Sequence, residues 1–518
     1  MREANGNAAD YFIERHLREG RGERLAFADP WRTLSYAQLS DASARFATGL
    51  AKAGIERERR IALLMLDTID FPIAFWGALW AGIVPVPINT LLPADITEYI
   101  LRDSRAAALV VSAPLLDPLR PVLDRLPALK QVIVSQPNGE PSHNPKAIDF
   151  AAFLDSALPS SEIAECSPDE VAFWLYSSGS TGAPKGVRHL HSNLRATSDT
   201  YGLQVLQIAP DDLVFSAAKL FFAYGLGNSM TFPMAVGAAA ALFPDRPTPD
   251  AVLATMQRFQ PTIFAGVPTL YAALLAQNAI GRGAGSDRLR RCISAGEPLP
   301  EHIGRRWREV VGSDILDGLG STEMLHIFLS NRPNDIRYGT TGKPVPGYEV
   351  RIVTETGEDA ADGETGELIV KGPSAAEGYW NQRDKSRRTF RGEWTYTGDT
   401  YTRDSGGYYR YCGRSDDMLK VSGIWVSPFE VEEALIGHAA VLEAAVVGHP
   451  DPEGLIKPKA FVVLQQSAPQ DDPDALCEAL QNHVKEQIGV WKYPRWIEFC
   501  DNLPKTATGK IQRYKLRQ

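Results

Sequence analysis

The 518-residue sequence has few cysteines and no excess of basic residues, and both shortages exclude classes of protein. Its five cysteines form no C-x-x-C pair, so neither a disulfide framework nor a zinc site is indicated, and free thiols in a reducing cytoplasm are favoured. The net charge is −9, whereas a general nucleic-acid binder needs a basic surface. We therefore expect no nucleic-acid partner, although an acidic chain can still form a local basic pocket for a nucleotide.

Long hydrophobic runs are also absent. The most apolar stretch, residues 61–92, is interrupted by Asp67 and Asp70, and Pro85 and Pro87 close the rest of it. That remainder is shorter than the roughly 20 apolar residues that a membrane span needs. Residues 1–12 contain no apolar segment of the kind found in secretory signals. The sequence thus predicts a soluble, cytoplasmic protein with no membrane partner.

Short apolar runs alternate with helical patterns along most of the chain, which is typical of α/β proteins whose sheets are covered by helices. From about residue 338 the pattern changes to short strands separated by glycine turns, and after residue 415 it becomes α+β. We predict a large N-terminal domain over residues 1–415, with mixed sheets and a β-rich subdomain over about 338–415, and a small C-terminal domain over residues 416–518. Predicted strands include residues 60–66, 108–112, 131–135, 213–216, 262–265, 291–294 and 392–397, and predicted helices include residues 71–81, 429–435 and 473–488.

A run of glycines and hydroxyl residues, SSGSTGAPKG at residues 177–186, follows an apolar strand pattern. Glycines let the backbone approach a polyanion closely, while hydroxyl groups and a lysine add donors and positive charge. The GK[ST] ending of a Walker A loop is absent. A flexible linker is the alternative, but a linker seldom follows a buried strand directly. The predicted phosphate-binding residues are Ser177, Ser178, Gly179, Ser180, Thr181, Gly182 and Lys185.

Three further motifs carry polar groups suited to a nucleotide. In DGLGSTE at residues 317–323, Thr322 and Glu323 suit a phosphate contact and a Mg²⁺ ligand. Asp399 and Arg414 offer hydrogen-bonding groups to ribose hydroxyls. Lys510 follows Thr-Gly near the end of the chain, on a predicted exposed turn. Taken alone, the first two motifs also fit ordinary turns, and the third fits a solvated basic tail.

Together, in this order and spacing, the four motifs resemble those of the adenylate-forming superfamily of acyl-CoA synthetases, luciferases and peptide-synthetase adenylation domains. The resemblance covers about residues 25–517. Within the superfamily the chain resembles benzoate-CoA and 4-hydroxybenzoate-CoA ligases, on residues 215–228, 320–330 and 420–430. The resemblance implies the ANL superfamily fold and an acid–thiol ligase of aromatic-compound degradation. Its substrates would be an aromatic carboxylate, ATP and CoA, with Mg²⁺ as cofactor.

The resemblance also implies a role for each nucleotide motif. The glycine-serine loop would hold the β- and γ-phosphates of ATP, with Lys185 as its mobile basic residue. Thr322 would contact the α-phosphate, Glu323 would bind Mg²⁺, and Asp399 with Arg414 would bind the ribose.

The adenine side carries one departure from the superfamily pattern. Many members have an aromatic residue that stacks on adenine before the Gly of the Gly-Ser-Thr-Glu motif, and this chain has a leucine there. Adenine would then be held by apolar contact, and the carboxyl before the first glycine would be a partner for its amino group. The residues implied on this side are Ala295, Gly296, Glu297, Asp317, Leu319 and Gly320.

The C-terminal motifs imply a reaction in two steps. Lys510 matches the catalytic lysine of adenylation, where a cation lowers the repulsion between an attacking carboxylate and the α-phosphate. Transfer to CoA does not need this lysine, and the superfamily rotates its small domain about a hinge that Asp416 matches. Rotation would bring Lys420, Ser422 and Gly423 to the pantetheine arm of CoA. A lysine acetyltransferase acting on Lys510 would remove the charge that adenylation needs.

The acyl pocket is predicted from small residues next to aromatic ones, a combination that suits a flat ring better than a long fatty chain. Two alternatives stay open: the aromatic residues could be core residues, and the histidine could be structural rather than a partner for a ring hydroxyl. Benzoate and 4-hydroxybenzoate are rival substrates, with 2-aminobenzoate or a fluorobenzoate behind them, because one hydroxyl alters binding strongly only if the pocket offers it a partner. The predicted lining residues are Phe222, Ala223, Tyr224, Gly225, Ala265, His326 and Ile327.

Two other functions fit part of the same sequence. A stand-alone adenylation enzyme that loads an aromatic acid onto a carrier protein would share all four motifs. A non-catalytic nucleotide-binding regulator would not need Lys510 and Glu323, and their presence counts against it. The sequence leaves assembly as a homodimer open.

Overall fold

A computed structural model describes residues 5–136, 147–160, 162–177, 183–277, 280–283, 285–415, 417–421, 424–453, 455–466, 468, 472–489, 492–505 and 511–517. Within these ranges no helix is long and apolar enough to cross a membrane. The chain divides into two compact units, the first formed by residues 1–349 and 370–395 and the second by residues 350–369 and 396–518. The predicted boundary and hinge at residue 416 remain predictions.

The strands in chain order are β1 (Leu25–Ala28), β2 (Thr33–Ser35), β3 (Arg60–Leu64), β4 (Val84–Pro87), β5 (Ala108–Ser112), β6 (Gln131–Ser135), β7 (Ala147–Asp149), β8 (Val171–Ser177), β9 (Lys185–Leu190), β10 (Leu213–Ser216), β11 (Ala239–Ala241), β12 (Ile263–Gly266), β13 (Arg291–Ala295), β14 (Ile315–Gly320), β15 (Ile327–Ser330), β16 (Lys343–Pro344), β17 (Glu349–Val353), β18 (Gly366–Lys371), β19 (Gly378–Tyr379), β20 (Phe390–Arg391), β21 (Trp394–Arg403), β22 (Tyr409–Arg414), β23 (Leu419–Val421), β24 (Ile424–Val426), β25 (Val441–Pro450), β26 (Ile456–Leu464) and β27 (Trp496–Phe499). The α-helices are α1 (Arg15–Arg18), α2 (Tyr36–Lys52), α3 (Asp70–Trp80), α4 (Ala94–Asp103), α5 (Arg120–Leu123), α6 (Phe150–Asp155), α7 (His191–Thr197), α8 (Ala223–Leu226), α9 (Phe232–Val236), α10 (Pro249–Phe259), α11 (Pro268–Leu275), α12 (Glu301–Val311), α13 (Arg383–Thr389), α14 (Pro428–Ile436) and α15 (Pro473–Ile488).

The first unit contains a parallel five-stranded sheet, in the order β4-β3-β5-β6-β7, that is buried on both faces. Successive side chains of a strand point to opposite faces, so an unbroken apolar strand needs cover on both sides. Ile61 and Leu63 of β3 belong to a core that includes residues of α2 and α3, whereas Ala62 and Leu64 pack in a second core with residues of α4. The apolar run around residue 61 is thus explained by burial in two hydrophobic cores, one on each face of the sheet.

A nine-stranded mixed sheet, in the order β16-β15-β14-β13-β12-β10-β11-β1-β2, forms the other large layer of this unit. Its strands β10, β12, β13 and β14 run parallel, and β15 returns antiparallel. One face packs against α10, α11 and α12 through a core that includes Phe215, Phe264, Cys292 and Ile315. Parallel strands bring their carboxyl ends to one edge, where ligands of open α/β sheets bind. The predicted α/β class with helix-covered mixed sheets is confirmed.

The second unit is built from smaller elements. β17, β18 and β21 are successive neighbours in one sheet, in which β22 also pairs with β21. β23 and β24 form a hairpin, and β25, β26 and β27 form a sheet against which α14 and α15 pack. Val431 of α14 and Leu480 of α15 are buried against Val446 and Val462 of that sheet. The predicted α+β character of the C-terminal segment follows from these elements.

Candidate active site

The strands on either side of the glycine-serine loop, β8 and β9, pair with each other antiparallel. Ser177 and Lys185 are register partners, so the two ends of the loop lie next to each other. Ser177 Oγ is buried and has no hydrogen-bond partner among the described residues. Residues 178–182, which include Ser178, Gly179, Ser180, Thr181 and Gly182, lie outside the described part of the chain. The phosphate cradle predicted over residues 177–186 therefore remains a prediction.

One tyrosine joins the basic residue of this loop to the carboxylate of the Gly-Ser-Thr-Glu motif. The Tyr379 hydroxyl donates to Glu323 Oε1 at 2.8 Å, and Lys185 Nζ lies 4.4 Å from the centroid of the same ring. The Ala376 amide donates to the Glu323 carbonyl at 2.8 Å, so the same segment holds both the main chain and the side chain of Glu323. The structure therefore brings together two site residues that the sequence separates widely.

The donor chemistry at Glu323 fits a hard divalent cation. Tyr379 donates to Oε1, and Oε2 would be the carboxylate oxygen for such an ion. Mg²⁺ takes oxygen ligands and is commonly bound by one or two carboxylates plus substrate phosphates. In the part of the chain that the structure describes, no three His, Cys, Asp or Glu side chains gather as a metal cage. Glu323 would thus hold the ion together with the phosphates of a nucleotide.

The predicted adenine-side residues meet at the carboxyl ends of neighbouring strands. Ala295 ends β13 opposite Gly318 of β14, and Asp317 lies opposite Ser294. Asp317 is 5% exposed, and its Oδ1 has no hydrogen-bond partner among the described residues. Burial raises the pKa of this carboxyl well above its usual range. Leu319 and Gly320 follow at the half-buried end of the strand, and Gly296 and Glu297 follow Ala295.

The predicted acyl-pocket segment begins after β10 and leads into α8. Phe222 and Tyr224 are half-buried, whereas the neighbouring Phe221 is a core residue at 5% exposure. The Tyr224 hydroxyl lies 3.1 Å from the carbonyl oxygens of both Gly266 and Ile293, at the ends of β12 and β13. Its single proton is therefore used on the backbone, and Tyr224 offers a ring face rather than a donor. Ala223 and Gly225 flank it in α8, and Ala265 and Ile327 are buried on β12 and β15.

His326 packs among these rings in a neutral state. Its ring centroid lies 5.8 Å from that of Tyr224 and 4.5 Å from that of Phe232. Nε2 lies 3.3 Å from the Tyr224 carbonyl oxygen, which makes Nε2 the protonated nitrogen of the neutral ring. Burial lowers its pKa to about 3. The Nε2–Cδ2 edge faces Gly227, where an added Cβ would lie 2.4 Å from Cδ2. Nδ1, on the other edge, is a buried acceptor with no partner among the described residues.

A buried acid from the other large sheet supports the pocket segment, and sequence reasoning missed it. Asp67, 3% exposed beyond the end of β3, accepts from the Leu220 amide with its two oxygens at 3.3 and 3.1 Å. Burial raises the pKa of Asp67 to about 6, and the nearby Lys219 ammonium opposes the rise. Lys219 in turn donates to the Asp245 carbonyl at 2.6 Å. This pair fixes the backbone directly before Phe221 and Phe222.

In the second unit, the predicted ribose pair forms a direct contact. Asp399 and Arg414 are register partners on β21 and β22, and Arg414 Nη1 lies 3.0 Å from Asp399 Oδ1. Arg414 Nη1 also donates to the Thr397 carbonyl at 3.1 Å. Gly398, at φ +70°, makes room for this arrangement because a Cβ there would lie 2.8 Å from Arg414 Nη2. The carboxylate is therefore held at a fixed place by the arginine.

The remaining C-terminal site residues lie wholly or partly outside the described chain. Asp416, Ser422, Gly423 and Lys510 fall there, and for Lys420 only the backbone pairing with Trp425 is described. The described residues on the two sides of 506–510 nevertheless pair with each other. Lys505 and Ile511 form an antiparallel bridge, and the Gln512 amide donates to the Pro504 carbonyl at 2.8 Å.

The chain is similar to known proteins along nearly its whole length. The AMP-binding enzyme family matches residues 13–380, and the AMP-binding enzyme C-terminal domain matches residues 430–510. The chain is 52% identical to a 4-hydroxybenzoate–CoA/benzoate–CoA ligase of Rhodopseudomonas palustris, over 99% of this chain and 94% of the relative. It is 53% identical to a benzoate–CoA ligase of Thauera aromatica, over 99% and 95% respectively. A crystal structure of a benzoate CoA ligase from Burkholderia xenovorans superposes with a TM-score of 0.90 at 49% identity, covering 99% of this chain and 100% of that one.

These matches confirm the resemblance predicted from the four motifs, and they span both the region of Lys185, Glu323 and Tyr379 and most of the C-terminal segment. The likeness to ligases of small aromatic acids extends over nearly the full length of each relative. On this basis the chain belongs to the AMP-binding enzyme family, whose members it matches in sequence, domain content and fold.

Proposed function

We propose that this protein is an ATP-dependent aryl-CoA ligase that converts benzoate or a hydroxybenzoate into an aryl-adenylate and then transfers the aryl group to CoA. The observation that carries the proposal is the short connection between β14 and β15, residues 321–326, which holds Glu323 against Tyr379 and His326 among the rings of Tyr224 and Phe232. A ligand whose ring reaches His326 would have its carboxylate near the residues that hold the nucleotide. The reaction class is acid–thiol ligation, with release of AMP and pyrophosphate.

In the first step, the chain has to bring two anions together. Tyr224 and His326 orient the ring of the acid, and Thr322 holds the α-phosphate that the carboxylate attacks. Lys510 bridges the carboxylate and the phosphate oxygens and stabilises the charge that spreads over them. Lys185 holds the β- and γ-phosphates as pyrophosphate leaves. Mg²⁺, when bound at Glu323, supplies further neutralisation of phosphate charge.

In the second step, the thiolate of CoA attacks the carbonyl carbon of the mixed anhydride, a carbon–sulfur bond forms, and AMP leaves. Lys510 is not needed in this step, because no anion attacks a phosphate. The proposal assigns the change between steps to rotation of residues 416–518 about Asp416, which brings Lys420, Ser422 and Gly423 to the pantetheine arm. Asp399 and Arg414 would keep the ribose in place.

Release of AMP with a panel of acids, in the presence and absence of CoA, tests this function. Benzoate, 4-hydroxybenzoate and 2-aminobenzoate are the test acids, and a long-chain fatty acid is the control. We expect AMP and an aryl-CoA in stoichiometric amounts with benzoates and CoA. Pyrophosphate exchange without a thioester would favour the carrier-protein alternative, and no AMP with any acid would favour a regulator.

The unpartnered acceptor of His326 leads to a prediction about substrate choice. We expect His326→Phe to lower kcat/KM for 4-hydroxybenzoate by about tenfold, the scale of one hydrogen bond to a buried group, and to leave benzoate nearly unchanged. The reason is that Nδ1 can accept from a ring hydroxyl, which benzoate lacks. Steady-state kinetics with both acids would measure the ratio, with benzoate as the internal control. An equal fall for both acids would assign His326 a purely structural role.

The hinge assignment also has a direct test. Proline locks φ, so Asp416→Pro is expected to slow transfer from the adenylate to CoA while adenylation continues near the wild-type rate. Pyrophosphate exchange reports the first step, and single-turnover thioester formation from added aryl-adenylate reports the second. Equal slowing of both steps would contradict the assignment.

The proposal extends to partners and location. Acetylation of Lys510 by a lysine acetyltransferase would stop adenylation by removing its charge, and mass spectrometry showing no modification by a cognate acetyltransferase would count against it. Assembly as a homodimer is testable by sedimentation.

The proposal places the enzyme in the cytoplasm because all five cysteines are free thiols.

A further inference from the structure

Tyr379 contacts both phosphate-side groups of the proposed site, Glu323 and Lys185. Its hydroxyl donates to Glu323 Oε1 at 2.8 Å, and its ring lies 4.4 Å from Lys185 Nζ. The hydroxyl also lies 3.4 Å from Thr389 Oγ1. No sequence motif singled out this tyrosine, which is 56 positions from Glu323 in the chain.

The tyrosine itself is held firmly. It is 5% exposed and packs with Val187 and Ala376, and its ring centroid lies 5.5 Å from that of Phe390. Tyr379 pairs with Val187 of β9. The next residue, Trp380, donates its amide to the carbonyl of Gly186, the residue before Val187, at 2.8 Å. The strand that begins at Lys185 and the strand that ends at Tyr379 are therefore one rigid piece.

We propose that Tyr379 is a positioning residue that fixes the orientation of the Glu323 carboxylate and the place of the Lys185 ammonium, so that both meet the same triphosphate. The inference rests on the proposed roles of Glu323 and Lys185. A donor on Oε1 fixes the rotation of the carboxylate, so Glu323 would be held in one orientation for binding a cation. Groups that orient metal ligands in this way typically change metal affinity by roughly 10- to 100-fold when removed. The ring face stabilises the ammonium separately, through its quadrupole.

Two substitutions separate these effects. Tyr379→Phe removes the hydroxyl and keeps the ring beside Lys185, whereas Tyr379→Leu removes both. Tyr338→Phe is the matched control, because its hydroxyl donates to a carboxylate oxygen of Asp314 at 2.9 Å in the same unit, outside the proposed site. Thermal unfolding of each variant would establish that the fold is retained.

The experiment measures the Mg²⁺ concentration for half-maximal pyrophosphate exchange and, independently of activity, the affinity for Mn²⁺ by EPR with α,β-methylene-ATP bound. We expect Tyr379→Phe to weaken both about tenfold or more while exchange at saturating Mg²⁺ stays near wild type. Tyr379→Leu should in addition raise KM for ATP by roughly two- to thirtyfold, through loss of the ring beside the cation. Tyr338→Phe should match the wild type in every measurement.

Glu323→Gln distinguishes failure of this inference from failure of the proposed site. If Glu323→Gln weakens metal affinity and Tyr379→Phe does not, the positioning role is overturned while the proposed function stands. If neither variant changes metal affinity, the assignment of Glu323 fails and the positioning role is overturned with it. Weakening by both variants, with Tyr338→Phe unchanged, supports the inference.

Discussion

Lys510→Ala is expected to slow adenylation by about 10²-fold or more, the scale on which one electrostatic stabiliser of a transition state acts. The attacking carboxylate and the α-phosphate are both anionic, and the lysine supplies the charge that lies between them. Thioester formation from pre-made aryl-adenylate should continue near the wild-type rate, because no anion attacks a phosphate in that step. Pyrophosphate exchange and single-turnover thioester formation measure the two steps separately.

Lys505→Ala is the matched control for this experiment. Lys505 lies at the base of the same segment, and its Nζ is paired with Glu443 Oε1 at 2.6 Å on the surface. We expect its loss to leave both steps nearly unchanged, since exposed ion pairs contribute little. An equal fall of both steps in Lys510→Ala would contradict the role of the lysine, and so would an equally strong effect of Lys505→Ala.

The second large effect is expected from Arg513→Met, which should destabilise the C-terminal segment by about 3–5 kcal/mol, the cost of leaving a buried charge without its partner. Glu432 of α14 is 4% exposed. Arg513 donates to both of its oxygens, from Nε at 3.1 Å and from Nη2 at 2.6 Å. The Val446 amide donates to Oε1 at 2.7 Å. Chemical denaturation of the full chain, followed by signals from its C-terminal segment, measures the loss.

The pH dependence of this loss has a definite sign. Burial raises the pKa of Glu432, and the Arg513 guanidinium opposes the rise. Without Arg513 the folded-state pKa rises further above the unfolded value, so protonation of Glu432 relieves the penalty as the pH falls. The stability deficit of Arg513→Met should therefore be largest at alkaline pH and smaller near pH 5. A deficit that grows on acidification would contradict this account.

Two companion variants sharpen the test. Adding Glu432→Gln to Arg513→Met should recover much of the stability, because the buried charge is gone while the acceptor for the Val446 amide remains. Arg517→Met removes an exposed partner of Asp417 and should cost no more than about 1 kcal/mol. If Arg513→Met were as mild as Arg517→Met, the buried pair would not stabilise the C-terminal segment.

Local patterns predicted the regular elements well. The strands over residues 108–112 and 131–135 match β5 and β6 because each is an apolar run with polar or turn residues on both sides. The strand predicted over residues 392–397 was too short, because β21 continues to Arg403. A Gly-Asp pair is typical of a turn, but here Gly398 takes φ +70° within the strand, and Asp399 faces Arg414.

Contacts between distant parts of the chain could not be predicted in this way. Tyr379 reaches Glu323 across 56 positions, Asp67 reaches Leu220 across 153, and Arg513 reaches Glu432 across 81. None of these residues stands in a motif window with its partner, so only the three-dimensional fold shows that they meet. Asp70, in the apolar stretch of residues 61–92, is a further example of a contact that the sequence does not reveal. It is buried, and its carboxylate contacts Ser135 at 2.7 Å and Arg32 at 2.8 Å.

The central claim, that a carboxylate oxygen attacks the α-phosphate of ATP before CoA enters, is tested most directly with benzoate labelled with ¹⁸O in its carboxylate. One turnover with ATP and CoA should transfer one ¹⁸O atom to AMP, detected by mass spectrometry, and leave the other in benzoyl-CoA. Appearance of the label in orthophosphate, with ADP as the nucleotide product, would show an acyl-phosphate route and contradict the account.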